Sequence, residues 1–190
     1  PGAETGAVGG DRDMSEAERP DGLAAYTVVL LRQGERCLLL RRAEHRTRFP
    51  GRWTGLGGRV EPHELERLRA AALRELEEET GIQAERVRNL ALRRALLHVR
   101  PGGPLTILLY FTGELAGDEV PENLPQASLE GELRWVRLDE LERLDLVDNA
   151  RLVLPLLRED ARRDPEGLEP VKLGALRYSP EGAIESIIWV

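Results

Sequence analysis

Gly57 to Ile82 reads GGRVEPHELERLRAAALRELEEETGI and sets a pair of glycines beside a segment dense in glutamate. The apolar spacing predicts a helix from about Glu64 to Thr80, closed by Gly81, which suits the left-handed position after a helix end. At about 100° per residue, Glu75 and Glu79 lie one turn apart with Glu78 on the same side, so three carboxylates share a face while Glu77 points elsewhere. Leu65, Leu68, Ala72 and Leu76 form an adjoining apolar stripe that would hold the helix on a sheet. A solvated acidic helix paired with Arg67, Arg69 and Arg74 is the plain reading. Its weakness is that like charges on one face repel unless cations compensate them. Hard cations such as Mg²⁺ take carboxylate, water and phosphate oxygens. The Gly57-Gly58 pair allows close backbone approach, so the second reading is a metal-phosphate site.

Strands are expected on both sides of this helix. Leu23 to Arg32 (LAAYTVVLLR) has the pattern of a buried strand, and the turn Gln33-Gly34-Glu35 joins it to the apolar run CLLLRR as a β-hairpin. Residues 43–55, AEHRTRFPGRWTG, read as a loop. Downstream, VRNLALRRALLHV and LTILLYFTGEL flank the turn Pro101-Gly102-Gly103-Pro104 and should pair antiparallel. ELRWVRL supplies another strand, Asn149 to Arg163 a second helix, and KLGALRYSPEGAIESIIWV a terminal hairpin. Strands interleaved with two helices predict an α/β or α+β layered domain around a mixed sheet. Residues 1–21 are rich in Gly, Ala, Pro and charge and read as a flexible tail, leaving residues 22–190 as one domain.

Composition bounds the partners. The chain has 190 residues, 41% of them hydrophobic, which suits one compact domain. Aromatics make up only 4%, so the core should rest on Leu, Val and Ala. A net charge of -7 argues against binding a nucleic-acid polymer through its backbone. Cys37 is the lone cysteine, which excludes an intramolecular disulfide and fits a reducing compartment, so the cytoplasm is the expected address. No apolar run approaches the ~20 residues of a membrane span, and the N-terminus lacks a signal-peptide layout. His45, His63 and His98 are scattered, and none is assigned to a metal.

Arg74, Glu75, Leu76, Glu78, Glu79, Gly81 and Ile82 follow the second half of the Nudix box, R-E-U-x-E-E-x-G-U with U aliphatic, without a gap. The segment therefore resembles that of the Nudix hydrolase superfamily. The first half departs from the pattern: Gly58 and Glu64 are correctly spaced, but two extra residues separate Glu64 from Arg74, and counting back from Arg74 lands on Glu66. Glu64, eleven residues before Glu75, suits a continuous helix better; Glu66 would face the other way. The resemblance implies an α/β/α sandwich with a central mixed sheet and an Mg²⁺-dependent attack of water on a phosphoanhydride, with Mn²⁺ able to stand in. It makes Glu75, Glu78 and Glu79 metal ligands, one of them or a nearby acid the base, and Gly57 or Gly58 the backbone ligand. Arg74 would orient a glutamate. Glu132 is the choice for a further acid outside the box.

RFPGRWTGLGGRVE is similar to the segment before the box in the MutT-like group, which removes oxidised purine nucleoside triphosphates, and loose similarity runs from Leu23 to Val190. By that resemblance Arg42, Thr54, Arg59, Asp148 and Asn149 line the substrate. Thr54 stands where the group has a base-contacting Asn, so a two-point reading of the base is lost. Asp148 and Asn149 suit helix N-caps equally well, a solvated role suits Arg42, and Trp53 can serve by packing alone. Phe49-Pro50-Gly51 echoes the coenzyme A group but is separated from Gly57-Gly58, and the signatures of ADP-ribose and NADH hydrolases are missing after the box. The expected substrate is a nucleoside triphosphate, cleaved to monophosphate and pyrophosphate by a monomer or homodimer. The alternatives are another nucleoside diphosphate derivative (a dinucleoside polyphosphate, ADP-ribose, coenzyme A or capped RNA) or a catalytically silent nucleotide-binding module.

Overall fold

The computed structural model describes residues 22–99, 104–117 and 130–190. The expected N-terminal tail, and residues 101–103 of the expected turn, lie outside them. Eight strands form one mixed sheet: β1 (Leu23–Gln33), β2 (Arg36–Arg42), β3 (Trp53–Thr54), β4 (Val87–Val99), β5 (Leu105–Leu115), β6 (Gly131–Arg137), β7 (Lys172–Tyr178) and β8 (Ile184–Trp189). Their order is β3-β2-β1-β5-β4-β7-β8, with β6 on β2. The pairs β1–β5 and β4–β7 are parallel; the hairpins expected at β1–β2, β4–β5 and β7–β8 are antiparallel.

Alternation along β1 divides the core into two layers. Val29 and Leu31 pack toward α1 (Leu68–Thr80) with Ala71, Ala72 and Leu76, whereas Leu30 packs toward α2 (Asp148–Arg163) with Val153, Leu154 and Leu157. The result is the expected α/β/α sandwich. With 13 residues, α1 is too short to persist alone in water, so its stability comes from burying that face.

Here the expected helix start needs correction. Pro62–Glu64 form a separate 3₁₀ turn, Arg67 breaks the helical path with φ -137° and ψ 53°, and α1 begins at Leu68. The two extra residues are thus taken up ahead of the helix. Leu65 is 55% exposed and leaves the apolar stripe, which Ala71 joins instead.

β2 pairs with β1 only from Arg36 to Leu38 and then diverges. Into the gap runs the chain after β3. Val29 N–H donates to Leu56 O at 2.6 Å, Thr27 N–H to Gly58 O at 2.8 Å and Val60 N–H to Ala25 O at 2.9 Å. This wedge carries the glycine pair along β1 and under α1.

A buried ion pair fastens α2 to the far side of the sheet. Asp160 accepts two bonds from Arg94, at 2.6 and 2.9 Å, and one from Lys172 at 3.0 Å, while the Arg94 guanidinium lies 4.5 Å from the Trp189 ring. Cys37 is buried, and burial pushes its thiol up to about 12, so it is chemically quiet. Among the described residues no helix is long and apolar enough to cross a membrane. Removing one partner of a buried pair strands the other charge. Asp160→Ala is therefore expected to lower unfolding free energy by about 3 kcal/mol, measured by urea denaturation.

Candidate active site

Gly57 and Gly58 each lie where a side chain would meet a neighbour. Gly57 has φ +129°, and a Cβ there would strike the Thr27 carbonyl; a Cβ on Gly58 would occupy the position of the Glu75 carboxylate. This closeness lets Gly57 N–H donate to Glu79 Oε2 at 2.8 Å.

Arg74 gathers the acids around it. Its Nε and Nη2 donate to the two oxygens of Glu64 at 2.7 and 2.8 Å, its Nη1 to Glu75 at 2.9 Å and Glu78 at 3.1 Å, and Nη2 also to the Arg59 carbonyl at 3.1 Å. Glu64 further accepts the Glu61 N–H at 2.9 Å. Of the two candidates for the first box position, Glu64 is buried against Arg74 and Glu66 is exposed. The continuous helix that favoured Glu64 is not formed; the 3₁₀ turn delivers it by another route.

The carboxylates differ in how far their charge is compensated. The Arg74 bonds hold Glu64 down at about 2. Burial pushes Glu75 up, against the pull of Arg74. Burial pushes Glu79 up to about 8; the Gly57 N–H opposes this, and the neighbouring Glu75 and Glu130 reinforce it. Glu79 is therefore a desolvated carboxylate whose charge is under-compensated. A divalent cation would supply what is missing. Among the described residues no three His, Cys, Asp or Glu side chains form a ready-made cage. Mg²⁺ needs none, since it is held by one or two carboxylates together with water and substrate phosphate oxygens. The oxygen donors of Glu75, Glu78, Glu79 and the Gly57 carbonyl fit such an ion.

These groups border an open cleft of about 1040 Å³. Arg42, Thr54, Arg59 and Asn149 line it. Arg42 Nε donates to the Arg48 carbonyl at 2.9 Å, and Asn149 Nδ2 to the buried Tyr110 hydroxyl at 3.0 Å. Asp148 does not line the cleft. Its neighbour on the helix faces the cleft, whereas Asp148 turns about 100° away and pairs with Arg52 at 2.8 Å. Neither residue caps α2, whose N-cap is Val147 without a side-chain bond.

Glu132 also stays outside the cleft. It lies on the same strand face as Arg134 and meets it at 3.6 Å. The acid brought to the cleft is Glu130, just ahead of β6, where it meets Arg46 at 2.7 Å. Its sequence signal is the following Gly131, whose φ of +150°, at a place where a Cβ would strike the Arg41 carbonyl, marks a bend at the start of the strand. Trp53 is buried and packs with the α2 layer, its backbone exchanging bonds with Asp145 and Val147.

Comparison with known proteins gives the family. The NUDIX domain family matches residues 22–157. A MutT protein from Bacillus halodurans has a similar structure, with TM-score 0.63 and 24% identity over 87% of this chain and 97% of that one. A MutT protein from Methanosarcina mazei Go1 gives 0.57 and 25% over 76% and 98%. An Ap4A hydrolase from C. elegans gives 0.56 and 22% over 74% and 96%. No curated protein sequence matches the chain. The chain belongs to the NUDIX family, the Nudix hydrolases acting on phosphoanhydride bonds, with MutT proteins among its structural neighbours.

Two outcomes follow from the geometry. Gly58→Ala should displace the Glu75 carboxylate, and if Mg²⁺ with nucleotide raises the parent's melting temperature the variant should lose that rise in thermal-shift measurements. Glu64 has a folded pKa below its ordinary 4.5, so its stabilising contribution is full above that pH and is lost as pH falls toward about 2. Glu64→Gln should thus be less stable than the parent at neutral pH, with the gap closing on acidification in denaturation curves.

Proposed function

We infer that the protein is an Mg²⁺-dependent hydrolase cleaving a nucleoside triphosphate to monophosphate and pyrophosphate. The observation that carries this reading is the under-compensated Glu79 carboxylate, held between Gly57 and α1 at the border of a cleft that arginines share. Glu75, Glu78, Glu79 and the Gly57 carbonyl are the proposed metal ligands. The Gly58 carbonyl already accepts the Thr27 N–H, whereas the Gly57 carbonyl accepts no bond among the described residues. Glu130 replaces Glu132 as the acid outside the box.

When bound, Mg²⁺, or Mn²⁺ in its stead, neutralises phosphate charge and makes bound water more acidic. Arg74 keeps Glu75 and Glu78 aimed through its two Nη1 bonds and acts as a positioning residue. Arg42 and Arg59 meet the phosphates, while Thr54 and Asn149 meet the base. Asp148 serves indirectly by anchoring Arg52. A box glutamate takes the proton of the attacking water. The lone, buried, unreactive Cys37 suits a cytoplasmic address.

The test is a hydrolysis screen with Mg²⁺ over nucleoside triphosphates, oxidised purine triphosphates, dinucleoside polyphosphates, ADP-ribose and coenzyme A, with products resolved by chromatography. One triphosphate should yield monophosphate and pyrophosphate, and Glu78→Gln should lower that rate on the order of a hundredfold. Preferential cleavage of another panel member would replace the substrate class. Nucleotide binding without turnover of any member would mark a binding module instead.

A further inference from the structure

Phe49 has φ +52°, in the left-handed region that bulky residues avoid, and it precedes Pro50, which favours extended backbone at this position. A conformation this costly persists only where the surroundings over-determine it, and such residues cluster at ligand-binding sites. The surroundings here are explicit. Gly51 N–H donates to Arg42 O and Arg42 N–H to Arg52 O, both at 3.0 Å, closing the base of the loop between β2 and β3. Arg41 Nε bonds the Gly51 carbonyl at 3.2 Å and Arg42 Nε the Arg48 carbonyl at 2.9 Å. Arg52, tied to Leu146 O, Asp145 and Asp148, places its guanidinium 5.8 Å from the centre of the Phe49 ring.

All these bonds present one ring to the cleft. Phe49 lines it and packs against the α2-side core, while the box carboxylates enter from α1 on the other side of the sheet. Val147, Leu108 and Tyr26 line the cleft too, which gives it an apolar part apart from the carboxylates. A flat, apolar ring held rigidly in such a place suits another flat ring.

We propose that Phe49 is the platform on which the substrate's base stacks, making it the residue that sets preference for a nucleoside polyphosphate over bare polyphosphate. This rests on the nucleotide reading above and adds to it a specificity-determining residue. Calorimetric titration in Mg²⁺ tests it with two probes: the non-hydrolysable α,β-imido analogue of the triphosphate selected by the screen, and inorganic tripolyphosphate. Phe49→Leu should weaken the nucleoside analogue about tenfold, the lower range of base-aromatic stacking, and leave tripolyphosphate within about twofold. Phe49→Trp should retain the parent's affinity for both.

Equal weakening of both probes in Phe49→Leu would overturn the proposal and reduce Phe49 to a support of the loop. Unchanged binding of both would overturn it as well. If the parent bound tripolyphosphate as tightly as the nucleoside analogue, the platform would fail while a phosphate site stood; if it bound neither, the nucleotide reading would fail with it.

Discussion

The site depends on a close approach that only glycine permits. Gly57 lies against the Thr27 carbonyl and Gly58 against the Glu75 carboxylate, so the wedge beside β1 and the acidic face of α1 meet without side chains between them. A side chain at Gly57 would strike the Thr27 carbonyl and disturb the N–H that serves Glu79, and one at Gly58 would displace the Glu75 carboxylate. Because β2 diverges from β1 after Leu38, the edge of β1 is open to receive this wedge. The sheet irregularity and the active-site geometry are the same feature.

Arg74 resolves the repulsion that makes the acidic face improbable as bare structure. Its five donors are shared among Glu64, Glu75, Glu78 and the Arg59 carbonyl, which a planar guanidinium can do and an ammonium cannot. Glu79 lies outside this arrangement and, among the described residues, has the Gly57 N–H as its one hydrogen bond. The protein thus neutralises the carboxylates that define the shape of the site and leaves one, Glu79, to be satisfied by what binds.

Local pattern carried much of this into the sequence. The pairing of residues 87–99 with 105–115, both hairpins, α2 within a residue and the convergence of Glu75, Glu78 and Glu79 all rest on periodicity and turn chemistry. What periodicity cannot carry is a break in it. The helix was expected to begin at Glu64 because the apolar spacing continues through Leu65, yet Arg67 interrupts it and Leu65 points to solvent. Glu132 fits a strand pattern whose alternation starts only after Gly131, so the acid at the cleft is the one before the bend. Asp148 and Asn149 are neighbours in sequence with different destinations, decided by Arg52 and Tyr110 from distant parts of the chain.

The same contrast separates the two walls of the cleft. The α1 wall is built from residues close in sequence, so a short motif describes it. The opposite wall combines the β2–β3 loop, the start of α2 and parts of β1 and β5, and its shape depends on arginines that bond backbone carbonyls as well as acids. Such bonds accept any residue as the partner, because every residue offers a carbonyl. They therefore leave no mark on the partner's identity, and a loop can fix a strained phenylalanine in place while its sequence still reads as an ordinary polar turn. The α1 wall is thus legible in a short motif, whereas the opposite wall is held by bonds to the backbone that no motif records.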